Sequence, residues 1–245
     1  MLAEVVLLGG SYLFGSLPFA TALAKANNLD LSRESDLHTA LWYKAGKSPA
    51  ILAGAVDFSK GIIPMLIGFG FGLSPTIVAW SGVAAVAGQM WPPFPGCHGE
   101  KGNTIGAGVI IALSLLYGAY LALLSLIPFA TGAALRYYYE KRSPASFEAT
   151  NREAELPKLT HPMALSLPLG MVLGFIIAPV ASWCSKGLTG VTQGFLILFI
   201  IVAIRRLTAS LRDDLNKGDN PLSMLVNRFL FDRSFLERRE ERAEL

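Results

Sequence analysis

Apolar residues run along this chain in long blocks separated by short polar stretches: Leu2 to Ala24, Pro49 to Leu73, Thr76 to Phe94, Ile105 to Leu135, Met163 to Trp183 and Gly187 to Ile204. Blocks of this length predict helices that cross a membrane. The fourth would make roughly 46 Å of helix at 1.5 Å per residue, against a hydrocarbon core of about 30 Å. It is either one tilted helix or two short ones broken near Gly118. Lysine and arginine placement decides, because cytoplasmic loops near membrane ends carry the basic excess. With the break, one side collects Lys25, Arg33, Lys44 and Lys47, then Lys101, then Arg136, Lys141, Arg142, Arg152 and Lys158, then the tail from Arg205. Only Lys186 falls in an opposite-side loop, and Lys60 sits within a span. The expected fold is therefore all-α, a polytopic membrane bundle of about seven transmembrane segments with its N-terminus outside and its C-terminus cytoplasmic. It is expected to be one membrane domain over residues 1–245, with residues 205–245 as an amphipathic, charged cytoplasmic tail.

Composition agrees. The chain is 52% hydrophobic with a mean hydropathy of +0.46, and 16% of its residues are charged, where a soluble domain has roughly a quarter. No basic region precedes the first block, which ends in Lys25, so it predicts a retained span and not a cleaved signal peptide. The net charge of +3 belongs to the inner membrane surface, where basic side chains meet anionic headgroups, and does not point to nucleic acid. Cys97 and Cys184 fall on opposite sides of this topology and are expected to be free thiols. Two cysteines with three histidines form no recognisable zinc pattern. The candidate helix breaks, Gly68 to Gly72 and Gly118, do not occupy corresponding places in two halves, which argues against a transporter.

The polar loop from Gly88 to Asn103 is the strongest chemical signal. Glycines let backbone N–H groups crowd an anion, Lys101 supplies a positive charge, and a helix starting near Asn103 would aim its positive end at the same place. Two further inner-side segments are polar. One runs from Gly15-Ser16-Leu17-Pro18-Phe19 through Arg33 and His38 to Lys47, and the other runs from Arg205 to Asp214 with Gly218 to Pro221. Asp57 and Lys60, three apart on one helix face, are expected to form a structural pair, because charges inside a membrane need partners. His38 is expected to be a loop histidine in water, and Arg205 and Arg206 a membrane-edge anchor. There is no Gly-x-Ser-x-Gly elbow and no eight-residue P-loop.

Gly15 to Phe19, Asp57-Phe58-Ser59-Lys60-Gly61, Gly88-Gln89-Met90-Trp91-Pro92-Pro93-Phe94 and Gly99-Glu100-Lys101-Gly102 occur in that order. In these segments the chain resembles the PlsY-type acyl-phosphate glycerol-3-phosphate acyltransferases, over roughly Leu7 to Pro221. It departs from the family pattern at four places. Gln89 stands where the family has histidine, and Glu100 stands where it has glycine. Glu34 to Trp42 replaces a longer Gly-Ser-Gly-Asn segment, and Arg205 to Leu211 holds no His-x-x-Asn. The resemblance implies transfer of a fatty acyl group from acyl phosphate to the 1-hydroxyl of glycerol 3-phosphate, at the cytoplasmic face of a bacterial inner membrane. Its partners would be membrane lipid and those two substrates, with no metal or organic cofactor. It assigns catalysis to Lys101 and Ser16, and phosphate or substrate binding to Gly99, Gly102, Asn103, Arg33 and Gln89. The alternative is a non-catalytic or substrate-altered paralogue that binds lipid intermediates or a partner.

Overall fold

The computed structural model describes residues 1–30, 37–94, 99–142, 162–209, 211 and 221–231, which form helices and turns with no strand among them. Helix α1 spans Leu2–Gly15, α2 Phe19–Ala26, α3 Leu37–Lys44, α4 Lys47–Gly70, α5 Pro75–Met90 and α6 Asn103–Leu116. A 3₁₀ turn over Tyr120–Ser125 leads into α7, Leu126–Arg142, followed by α8 Pro162–Lys186, α9 Gly190–Thr208 and α10 Pro221–Phe231. Five stretches are long and apolar enough to cross a membrane: Leu2–Ala26, Lys47–Gly70, Tyr120–Tyr138, Ser166–Lys186 and Gly190–Thr208. Asn103–Leu116 is apolar but shorter.

Two breaks shape these helices. The long fourth block divides at Gly118, whose φ of +65° lies in the left-handed region that favours glycine. The first block, expected to be one continuous span, also divides. Pro18 has no N–H to give a helix, so α1 stops at Gly15 and α2 restarts at Phe19. The break turns the carbonyl of Leu17 aside, where it accepts a hydrogen bond from Nζ of Lys60 at 2.7 Å.

The chain divides into two compact units. The first comprises Met1–Leu124 and Ala178–Ile201. In it, helices approach backbone to backbone at glycines: a Cβ on Gly15 would lie 1.9 Å from the carbonyl oxygen of Ala85, and one on Gly88 2.0 Å from that of Tyr12. Gly61 meets the carbonyl of Ile105, and Gly108 that of Phe58, in the same way. Such contacts suit a membrane, where lipid tails are as apolar as the helices and association depends on close packing. Ala20, Ala24, Ala40, Leu41, Ala50 and Ala53 form a small buried cluster that clamps α3 between α2 and α4. The second unit comprises Ser125–Ile177 and Val202–Leu245. There α7 and α8 pack at Gly132, Gly170 and Gly174, with the rings of Phe129 and Phe175 edge to face at 5.4 Å.

Candidate active site

The site lies within the first unit, and each of its walls is set by local sequence. Asp57 and Lys60 are one turn apart on α4, almost fully buried, with Nζ of Lys60 2.6 Å from Oδ1 of Asp57. The lysine also holds the Leu17 carbonyl, so the break in the first span and the charged pair fix one another. Gln89, in the last turn of α5, donates from Nε2 to Oδ2 of Asp57 at 3.0 Å and to Oε2 of Glu100 at 3.3 Å. His38, in the first turn of α3, brings Nε2 to 2.9 Å from Oδ2 of Asp57 and 3.6 Å from Oε2 of Glu100. Side chains from α3, α4 and α5 thus converge on the Asp57 carboxylate, and Glu100 joins them through Gln89 and His38.

The loop closes the fourth side. Glu100 N–H donates to the carbonyl of Gln89 at 2.9 Å, folding the chain back on α5. Gly99 permits this, because a Cβ there would lie 1.8 Å from the carbonyl oxygen of Met90. Gly102, at φ +71°, turns the chain into α6, whose N-terminus carries no side-chain cap. The first N–H groups of α6 therefore begin beside Lys101, an arrangement that favours an anion, while the Glu100 carboxylate next to it opposes one.

Of the residues expected from sequence, Gly99, Lys101, Gly102 and Asn103 form this loop and helix start, with Lys101 half-buried. Gln89 is in the cluster. Ser16 is buried with its backbone against Gly88, and its hydroxyl donates to the carbonyl of Leu13 at 2.7 Å. Arg33, Cys97 and His98 lie outside the described residues. The Asp57–Lys60 pair forms as expected, and it does more than neutralise itself, because the second oxygen of Asp57 anchors His38 and Gln89. The expectation for His38 is corrected: it is not a histidine in water but the first-turn residue of a helix clamped by the alanine cluster, with its side chain only 26% exposed. Sequence reasoning thus missed His38, Asp57 and Glu100 as site residues. The available signal was the intramembrane charge at Asp57, which calls for more partners than one.

A helical bundle with five stretches of membrane-crossing length and a buried polar cluster defines a multi-pass membrane protein with a charged internal site. The chain belongs to the glycerol-3-phosphate acyltransferase family, whose model matches residues 5–146. Glycerol-3-phosphate acyltransferase of Geobacter metallireducens is 34% identical over 119 residues, 47% of this chain and 61% of the relative. That of Aquifex aeolicus is 35% identical over 108 residues, 42% of this chain and 56% of the relative. The chain therefore spans about 60% of the length of these curated relatives. The fold matches PlsY (YgiH), an integral membrane glycerol 3-phosphate acyltransferase. Its lysophosphatidic acid form has a TM-score of 0.62 at 22% identity, covering 88% of this chain and 93% of that one. Its glycerol 3-phosphate form has a TM-score of 0.61 at 22% identity, covering 91% and 98%.

Proposed function

We propose that the chain moves a fatty acyl group from acyl phosphate to the 1-hydroxyl of glycerol 3-phosphate, giving lysophosphatidic acid and inorganic phosphate, at the cytoplasmic face of a bacterial inner membrane. The observation that carries this reading is a coincidence of extents. The family match over residues 5–146 contains every described residue of the site, from Ser16 just after α1 to Asn103 at the start of α6. The chemistry asks little of the protein. The hydroxyl oxygen attacks the acyl carbonyl carbon, the carbon–oxygen bond to phosphate breaks, and the phosphate leaves with that electron pair and takes up the hydroxyl proton. An acyl phosphate is already activated, so the site has to place two anionic substrates and neutralise their charge.

Lys101 and the N–H groups of Gly99, Gly102 and Asn103 hold a phosphate. Gln89 fixes Glu100 and Asp57 around it, Ser16 and Arg33 orient the substrate, and the acyl chain lies among the helices. The test is phosphate release by the purified chain in detergent, supplied with acyl phosphate and with or without glycerol 3-phosphate. Release that requires the acceptor and yields lysophosphatidic acid is expected. Its absence, where a relative with the full family motifs turns over, overturns the proposal.

A further inference from the structure

We propose that the outward face of α10 is seated in the acyl-chain layer of the membrane, in the leaflet where α9 ends, with lipid covering it. Of the residues Pro221–Phe231 that form α10, Arg228 alone is charged. That charge is turned inward: Arg228 is 5% exposed and its neighbour Asn227 7%. The side facing away from the protein carries Leu222, 71% exposed, and Val226, 51% exposed, one turn apart. A helix lying on a soluble protein turns its apolar residues inward and leaves its charges in water. α10 is arranged the other way, and its uncharged outer face fits an apolar medium.

A second, independent observation points to the same medium. The carbonyls at the ends of α9 and α10 take their hydrogen bonds from buried arginines. Arg228 donates from Nη1 to the carbonyl of Ala209, just past the end of α9. Arg206, in the last turn of α9 and 2% exposed, donates from Nη1 to the carbonyl of Phe229 in the last turn of α10 at 3.0 Å. Both of its terminal nitrogens also reach the carbonyl of Pro168 on α8 at 3.3 Å. Each of α9 and α10 thus caps the C-terminal end of the other. The last carbonyls of a helix have no partner within it. Water supplies one at a solvated helix end, whereas hydrocarbon supplies none and the protein has to provide it.

The occupant of the outer face follows from what α10 is tied to. α8 and α9 are both of membrane-crossing length, and Ile204, beside Arg206 on α9, is 46% exposed and faces lipid. The bond from Arg206 to Phe229 sets the last turn of α10 at the depth of the last turn of α9. Leu222 and Val226 stand along α10 within roughly 10 Å of that bond, at 1.5 Å of rise per residue. This is the edge of the hydrocarbon, where interfacial helices bury an apolar face. The seating is independent of acyl transfer and of which side of the membrane α9 ends on.

The experiment is spin labelling of the full chain carrying Cys97→Ala and Cys184→Ala, reconstituted into vesicles of phosphatidylethanolamine and phosphatidylglycerol. A nitroxide is attached in turn at Leu222→Cys, Val226→Cys and, as the lipid-facing reference, Ile204→Cys. All three positions are exposed, so none of the substitutions removes a packed core side chain. Collision rates are measured with oxygen, which concentrates in the acyl layer, and with a neutral nickel chelate, which stays in water. The oxygen-to-nickel ratio at Leu222→Cys and Val226→Cys should lie within about threefold of that at Ile204→Cys, and at least about fivefold above that of a soluble nitroxide in the buffer. A ratio near the buffer value at either position puts the face in water and overturns the proposal. Collision rates near zero with both reagents at either position also overturn it, because another segment of the chain or a second copy then covers the face.

Discussion

Asp57 carries one negative charge at a position 1% exposed, and both its oxygens are engaged, Oδ1 by Lys60 and Oδ2 by His38 and Gln89. Breaking a buried pair is far more costly than replacing it whole, because the survivor keeps an uncompensated charge in a medium that solvates it poorly. Lys60→Met should therefore lower stability by about 3–5 kcal/mol, read from thermal unfolding in detergent. Adding Asp57→Leu should recover part of that loss. A double variant no more stable than the single one would contradict the account of Asp57 as a charge that depends on Lys60. The pair itself was legible in the sequence, since Asp57 and Lys60 are the right distance apart on one helix. The convergence of His38 and Gln89 on the same carboxylate, with Glu100 held against both, was not. It depends on the start of α3, the end of α5 and the loop before α6 reaching one depth, which residue spacing within a helix does not reveal.

At the scale of elements, the breaks matter as much as the helices. Gly118 ends α6 at a positive φ, and the fourth apolar block becomes two helices for that reason. A side chain there meets the steric penalty of the left-handed region, so Gly118→Ala should cost about 1–2 kcal/mol. Gly9→Ala, on a glycine of α1 with open space around it, should cost nothing or stabilise slightly. Equal unfolding midpoints for the two variants would contradict this reading. The Gly118 break was visible from length and charge placement, because a single helix would have put the Arg136 to Lys158 group on the wrong side. The break at Ser16 to Pro18 was visible as a proline but not as a structural device. Its consequence, a carbonyl turned toward Lys60, appears only when α1 and α4 are packed together. The loop tells the same story: Gly99 and Gly102 were expected to crowd N–H groups around an anion, and the structure adds that they also fold Glu100 back onto α5.

At the scale of the whole molecule, the all-helical membrane class was set by the apolar blocks and is what the structure and the family both show. Orientation rests on the lysine and arginine distribution. The proposed orientation puts the end of α8, with its exposed Cys184, on the outer side. In intact cells expressing a Cys97→Ala variant, a membrane-impermeant maleimide should label Cys184 without lysis. Labelling only after lysis would invert the topology and move the site away from the cytoplasmic supply of phosphorylated substrates.

The central claim, that this charged cluster and the adjoining loop support glycerol 3-phosphate acylation despite Gln89 and Glu100, is tested most directly in a bacterium lacking its own acyl-phosphate-dependent acyltransferase. The chain and its Lys101→Ala variant are expressed there at matched membrane levels, and growth is compared. Growth restored by the chain and lost, or reduced at least about tenfold in rate of lysophosphatidic acid synthesis, with Lys101→Ala is the result expected from losing a phosphate-stabilising charge. No growth with correctly inserted protein, or growth indifferent to Lys101, would contradict the account.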